Sequence, residues 1–175
     1  MLKKNIPNYL VILRILLIPL IISAFFISNL LAFILFATAA ITDFFDGYLA
    51  RKWDATSDYG AMIDQVSDKL LVVSIILTLL YLGRVELVPC LLIIFREIFV
   101  SGLREHLGKK QIDVPVTQLT KIKTALQMLA LAILIIAPII GTTLLSIGQV
   151  LFWISAILTF YTGIEYVAKS YKHLK

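Results

Sequence analysis

Hydrophobic residues run through this 175-residue chain in long blocks, which short polar clusters separate. An α-helix needs about 20 predominantly apolar residues to cross a hydrocarbon core about 30 Å thick. Blocks of that length predict six transmembrane helices, at roughly 7–28, 30–53, 60–82, 86–107, 118–138 and 143–168. The expected fold class is therefore an all-α integral membrane protein. The pattern contains no internal repeat or linker, so we expect a single membrane domain over residues 1–175.

Basic residues lie beside the ends of these blocks and predict the topology. If the N-terminus is cytoplasmic, every one of the 16 lysines and arginines except Arg84 falls in the cytoplasmic half. That distribution follows the positive-inside rule and places both termini in the cytoplasm. The net charge of +5 is divided among helix ends, where it meets anionic lipid, so we expect no nucleic-acid partner.

The amino-acid composition agrees with a membrane domain and excludes some kinds of cysteine site. Hydrophobic residues make up 60% of the chain and charged residues 15%, which is unlike a soluble domain. Cys90 is the only cysteine, so an internal disulfide and a paired-cysteine metal site are both excluded. The first apolar block lacks a small-residue cleavage pattern, and we expect it to be retained as a span.

Four carboxylates interrupt the second and third blocks, where charge is expensive. Asp43 and Asp46 are three residues apart, and Asp64 and Asp68 are four apart, so each pair shares one helix face. A charged side chain at a helix centre costs about 2.5–3.5 kcal/mol on insertion scales and requires a compensating partner. The natural partner for such a cluster is a divalent metal ion.

Small residues accompany these carboxylates. Gly47 and Ala50 lie on the stripe of the first pair, and Gly60 flanks the stripe of the second. Their minimal side chains would let a bulky phosphorylated ligand approach the helix backbone. Between the pairs, residues 51–54 are interpreted as an interfacial helix end, and residues 56–58 as a turn and N-cap.

A second polar region follows at the same predicted depth. Arg96 and Arg104 are eight residues apart and near one helix face, and Lys121 and Lys123 open the fifth block. These cations indicate an anionic second substrate. The alternative is that they mark only the cytoplasmic side and pair with nearby glutamates, Glu97 and Glu105.

Arg14 lies about 10 Å along the first helix from Pro7, too deep for a simple boundary charge. Two interpretations remain open from the sequence. The arginine either extends to the headgroups, or it faces the acidic cluster or a substrate phosphate.

Eight residues between positions 43 and 68 have a spacing that resembles the signature of the CDP-alcohol phosphatidyltransferases in every fixed position. The residues that carry it are Asp43, Asp46, Gly47, Ala50, Arg51, Gly60, Asp64 and Asp68. Gln65 and Ser67 stand where the family often has Pro and Ala. Segments 5–8, 96–104 and 121–128 also look like the bacterial phosphatidylglycerophosphate synthases, except that Thr120 replaces a frequent Gly.

The resemblance implies a reaction: transfer of a phosphatidyl group from CDP-diacylglycerol to sn-glycerol 3-phosphate, which gives phosphatidylglycerol phosphate and CMP. It implies one or two Mg²⁺ or Mn²⁺ ions as cofactor, which prefer oxygen ligands. The metal ligands expected are Asp43, Asp46, Asp64 and Asp68. Asp68 is also expected to be the general base for the acceptor hydroxyl.

The same resemblance distributes the remaining roles. Gly47, Ala50 and Gly60 are expected to border the cytidine nucleotide, and Arg51 to lie by its phosphates. The acceptor phosphate is expected to bind Arg96, Arg104, Lys121 and Lys123. A homodimer in the bacterial cytoplasmic (inner) membrane is expected, with membrane lipid around it and the active site facing the cytoplasm.

Two alternatives remain at this stage. The same donor chemistry could serve another acceptor, such as serine, inositol, inositol phosphate or phosphatidylglycerol. In a different class, carboxylates within a membrane could line the path of a divalent-cation transporter. The small residues beside the acids and the cationic region favour the enzyme.

Overall fold

The computed structural model describes residues 2–52, 58–110, 112 and 117–174, and the side-chain surroundings of residues 12–42, 63–110, 112 and 117–171. Within these ranges the chain forms six α-helices. They are α1 (Leu2–Phe25), α2 (Asn29–Lys52), α3 (Asp58–Tyr81), α4 (Leu87–Lys109), α5 (Gln118–Ile140) and α6 (Thr142–Leu174). The all-helical prediction is confirmed for the described residues.

The helices match the predicted blocks closely at most ends. The two clear differences are at α1, which begins at Leu2, and at α6, which continues to Leu174. The longer α6 continues through polar turns, which hydropathy does not count as part of a membrane span. Lys169 Nζ lies 2.6 Å from Glu165 Oε1, and the buried Ser170 hydroxyl donates to the Tyr166 carbonyl at 2.7 Å.

Apolar side chains cover the outside of the bundle as well as its core. Buried side chains such as Ile21, Ile75 and Leu134 form one central cluster, yet large exposed hydrophobic residues occur on every helix. Among the described residues, two helical stretches pass a length and hydropathy test for a membrane span, Gln118–Ile140 and Thr142–Tyr171, with mean hydropathies of 2.1 and 1.8. An apolar exterior of this extent suits contact with lipid chains.

Short turns close one end of the bundle. Gly83 ends α3 with φ 67°, and the Arg84 amide donates to the Leu79 carbonyl at 2.9 Å, as in a Schellman motif. Gly141, with φ 144°, separates α5 from α6. Both glycines adopt conformations that other residues rarely reach, so they fix these turns.

Arg84 ties several helices together at this end. Its Nη2 donates to Asn29 Oδ1 at 2.6 Å, and its Nη1 lies 3.4 Å from the Leu134 and Ile135 carbonyls. Pro138 has no N–H, so it leaves the Leu134 carbonyl without its usual helical donor. Arg84 therefore bonds a carbonyl that α5 itself does not use, far from the ends of α2 and α4 that carry the candidate site.

Candidate functional site

Arg14 reaches from α1 into the acidic stripe of α3. Its Nη1 lies 3.0 Å from Asp64 Oδ1, 2.5 Å from Asp68 Oδ1 and 3.1 Å from Ser67 Oγ. The Arg14 side chain is fully buried, so it does not extend to the headgroups. Of the two interpretations of Arg14, the structure supports the one that faces the acids. We call Arg14, Asp64, Ser67 and Asp68 the carboxylate cluster.

The two carboxylates of this cluster remain open on their outer side. The side chains of Asp64 and Asp68 are 41% and 47% exposed, although the guanidinium between them is buried. Two aspartates on one helix face supply the hard oxygen donors that Mg²⁺ and Mn²⁺ prefer. The donor set that can be inspected therefore fits a divalent cation.

The other half of the predicted metal and nucleotide site belongs to segments whose backbone alone is described. Among the side chains described, no three acidic, histidine or cysteine residues form a metal-binding group. Only two of the four predicted ligands have described side chains. Predicted roles that lie outside the described side chains are those of Asp43, Asp46, Gly47, Ala50, Arg51 and Gly60. Residues 53–57, which include parts of the predicted helix end at 51–54 and of the predicted turn and N-cap at 56–58, lie outside the described residues altogether.

A second set of charges joins α4 to α5. Glu97 accepts from Arg96 Nη1 at 3.0 Å and from the Lys123 ammonium. Lys123 and Arg96 are 3% and 9% exposed, and Glu97 is 18% exposed. We call Arg96, Glu97 and Lys123 the cationic cluster, because one positive charge is left after the two cations are set against one carboxylate.

The predicted pairing of Arg96 with Arg104 along one helix face is found. Both line a small pocket, and the Arg104 guanidinium also lies 5.6 Å from the centre of the Tyr166 ring. The pocket is completed by polar and aromatic groups from α6 and the start of α5: Thr117, Thr120, Thr162, Glu165, Tyr166 and Lys169. The cations and hydroxyl groups of this lining are donors that suit an anion, and the cavity between them is about 10 Å³, the size of one water molecule.

Lys121 does not lie on the same side of α5 as Lys123. The two are separated by two positions on α5, so they point to different sides of the helix. Lys121 is exposed and Lys123 is buried. The predicted role of Lys121 in binding the acceptor phosphate stays a prediction.

Lys69 connects the two clusters. It follows Asp68 on α3, and its Nζ donates to Ser101 Oγ on α4 at 2.7 Å. Its charge also interacts with groups on both sides: Asp68, Arg96, Glu97 and Arg104. The carboxylate cluster and the cationic cluster therefore adjoin each other at one end of the bundle.

Two residues of this site, Lys69 and Glu97, were not predicted from the sequence to take part in binding. Lys69 was counted only as a topological marker, although its position directly after the last aspartate of the signature is a signal. Glu97 was considered only as a pairing partner that would argue against binding. In the structure it organises both Arg96 and Lys123, which is compatible with a binding site.

Comparison with known proteins defines the class. The family model described as CDP-alcohol phosphatidyltransferase matches residues 4–161. The chain belongs to this family.

Individual relatives within this family are similar to the chain over nearly its whole length. A CDP-diacylglycerol–glycerol-3-phosphate 3-phosphatidyltransferase of Rickettsia felis is 50% identical over 169 residues, which cover 93% of each chain. Proteins of the same name from Cereibacter sphaeroides and Shigella flexneri serotype 5b are 37% and 38% identical. The alignments cover 98% and 94% of this chain and 97% and 93% of those proteins, respectively.

Proposed function

We propose that this protein transfers the phosphatidyl group of CDP-diacylglycerol to sn-glycerol 3-phosphate, releasing CMP and forming phosphatidylglycerol phosphate. Full-length similarity to relatives that carry this activity in their names supports the reaction. The structural observation that carries it is that two oppositely charged clusters lie at one end of the bundle, on α3 and α4, which the hydrogen bond from Lys69 to Ser101 joins there. A donor pyrophosphate and an anionic acceptor need such neighbouring sites.

Asp64 and Asp68 are proposed to hold Mg²⁺ or Mn²⁺ together with Asp43 and Asp46. One or two ions there would offset negative charge on the pyrophosphate and on the leaving CMP. Arg14 serves as a buried cation behind Asp64 and Asp68, so these carboxylates keep a fixed position when the substrate is absent. Gly47, Ala50 and Gly60 are proposed to leave room for the cytidine nucleotide, with Arg51 beside its phosphates.

The acceptor is proposed to bind through its phosphate to Arg96 and Arg104, which line the small pocket, and to Lys123, which shares Glu97 with Arg96. Lys121 is proposed as a further contact of this phosphate. Its hydroxyl oxygen attacks the phosphorus that bears diacylglycerol, and the bond from that phosphorus to the oxygen of CMP breaks. Asp68 takes the hydroxyl proton. This role requires an oxygen of Asp68 that the metal does not occupy, since a metal-bound carboxylate is a weak base.

The first test is CMP release by the purified protein with CDP-diacylglycerol, Mg²⁺ or Mn²⁺, and a panel of acceptors. The panel contains glycerol 3-phosphate, serine, inositol, inositol phosphate and phosphatidylglycerol. We expect release only with metal and glycerol 3-phosphate together. Release with another acceptor would keep the chemistry and replace the acceptor, whereas flux of metal into proteoliposomes without CMP release would support a transporter instead.

The topology is part of the proposal. Six spans would place both termini and both charged clusters at the cytoplasmic face of a bacterial inner membrane, in a homodimer. Cys90 is buried, so single cysteines introduced at Glu86 and at Lys109 would report the two ends of α4. We expect a membrane-impermeant thiol reagent to label position 86 in intact spheroplasts and position 109 only after lysis.

A further inference from the structure

One face of α6 is built from small residues that pack against α4 and α5. Ser155, Ala156, Thr159, Thr162 and Gly163 are all buried, at the three- and four-residue spacing of one helix face. Small side chains allow helices within a membrane to approach closely. Of these residues, Thr162 lines the small pocket of Arg96 and Arg104, and Gly163 lies directly against the Arg96 side chain.

The contact leaves no room for a side chain at position 163. A Cβ atom there would lie 2.8 Å from Arg96 Cγ and 3.6 Å from Arg96 Nε. Cγ is one bond beyond Cβ, so its position depends on the first torsion angle of Arg96 alone. That angle has three staggered values about 120° apart, so the crowded atom must change rotamer or push α4 away from α6. Either movement displaces the guanidinium.

Arg96 is held in a state that suits an incoming anion. Its side chain is 9% exposed and donates to Glu97 through Nη1, while its buried Nε has no hydrogen-bond partner among the described residues. Burying a donor without a partner is unfavourable, so such a donor is a candidate to contact a ligand. A methyl group at position 163 would crowd Cγ and would lie in van der Waals contact with Nε.

We propose that Gly163 is a positioning residue for the acceptor phosphate. Its lack of a side chain keeps Arg96 in the rotamer that faces Glu97 and Lys123, in which the buried Nε has no partner among the described residues and can donate to the phosphate. This inference rests on the proposed function, since it assumes that Arg96 binds glycerol 3-phosphate. It adds a residue of α6 to the proposed acceptor site.

The test is Gly163→Ala in the full-length protein, assayed by CMP release. We expect KM for glycerol 3-phosphate to rise about tenfold, because small displacements of a positioning group can cost up to about a hundredfold. KM for CDP-diacylglycerol and kcat should change less than about twofold, since the donor site is untouched. Alanine favours helix over glycine, so a loss cannot be attributed to helix propensity.

Two glycines provide matched controls. A Cβ at Gly148, also on α6, would lie 3.0 Å from side-chain atoms of Ile133 and Leu134, so Gly148→Ala crowds the α5–α6 contact without touching Arg96. A Cβ at Gly108 would have no atom within 4 Å, so Gly108→Ala tests the substitution alone. An equal rise in the acceptor KM for Gly148→Ala would overturn the inference in favour of general packing.

A double variant separates this inference from the proposed function. In an Arg96→Ala protein the crowded Cγ is gone, so adding Gly163→Ala should change no kinetic constant further and should restore folding if the single variant is unstable. Additive losses, or a double variant as unstable as Gly163→Ala, would overturn the inference alone. A normal acceptor KM in Arg96→Ala would instead reject the role of Arg96, and the inference with it.

Discussion

The carboxylate cluster and the cationic cluster have similar architecture and opposite net charge. Each joins two helices through ion pairs at the same end of the bundle. In the first, the carboxylates of Asp64 and Asp68 face the Arg14 guanidinium, and in the second, Arg96 and Lys123 face the Glu97 carboxylate. Ion pairs of this kind are weak evidence for stability, so we expect the two clusters to serve ligands of opposite sign.

The clusters differ in exposure, and this difference separates their functions. The aspartates of the carboxylate cluster are nearly half exposed, whereas the Arg96 and Lys123 side chains are almost fully buried. A cation can approach the exposed sides of these two carboxylates from outside the bundle. A phosphate that binds Arg96 and Lys123 must compete with Glu97 for them, so acceptor binding should be the more selective step.

The largest effect is expected at the carboxylate cluster. Asp64→Asn removes a charged metal ligand while it keeps the shape of the side chain, and we expect turnover to fall by at least about a thousandfold. CMP release measures the loss, and thermal unfolding in detergent checks the fold. Glu105→Gln is the control, because Glu105 is exposed and pairs only with Lys109 among the described residues. Near-normal activity in Asp64→Asn would remove this residue from the metal site.

A smaller and more selective effect is expected at the cationic cluster. Arg96→Ala or Lys123→Ala should raise KM for glycerol 3-phosphate by about ten- to a hundredfold, since a hydrogen bond to a charged group contributes about 1.5–3 kcal/mol. KM for CDP-diacylglycerol should stay within about twofold. Lys109→Ala removes an exposed cation of α4 and should leave both constants unchanged. Equal losses for both substrates would indicate a structural role instead.

Arg14→Met tests whether the Arg14 guanidinium stabilises the negative charges of Asp64 and Asp68. The substitution leaves Asp64 and Asp68 without the cation between them, and we expect it to lower the free energy of unfolding by about 2 kcal/mol. A divalent cation should restore much of this loss, because it neutralises the same carboxylates. Glycerol 3-phosphate should restore none. Thermal unfolding with and without Mg²⁺ measures the difference, and an identical loss in both conditions would contradict a shared electrostatic site.

Glu97→Gln is the opposite experiment at the cationic cluster. It leaves Arg96 and Lys123 without their anion, and we expect a loss of about 1–2 kcal/mol, because glutamine can still accept one hydrogen bond. Inorganic phosphate or glycerol 3-phosphate should raise the melting temperature of this variant more than that of the unsubstituted protein. Mg²⁺ alone should not. If neither anion stabilises it preferentially, the pocket does not bind phosphate through these two cations.

The architecture was predictable from the sequence because its signals are local. Lengths of apolar blocks predicted six helices, and spacings of three, four and eight residues placed the side chains of one helix on a common face. Arg96 and Arg104 do share a pocket as their spacing predicted. Lys121 and Lys123 were grouped by proximity in sequence, and their different exposure shows the limit of that grouping.

Partners on different helices were beyond the reach of these local signals. The sequence by itself determined the helical blocks, the acidic spacing and the family signature, since each depends on residues a few turns apart. Only the tertiary structure decided that Arg14 lies between Asp64 and Asp68, that Glu97 joins Arg96 to Lys123, and that Gly163 bounds Arg96. These contacts depend on how each helix is rotated about its axis, which close packing between helices sets and hydrophobic periodicity does not.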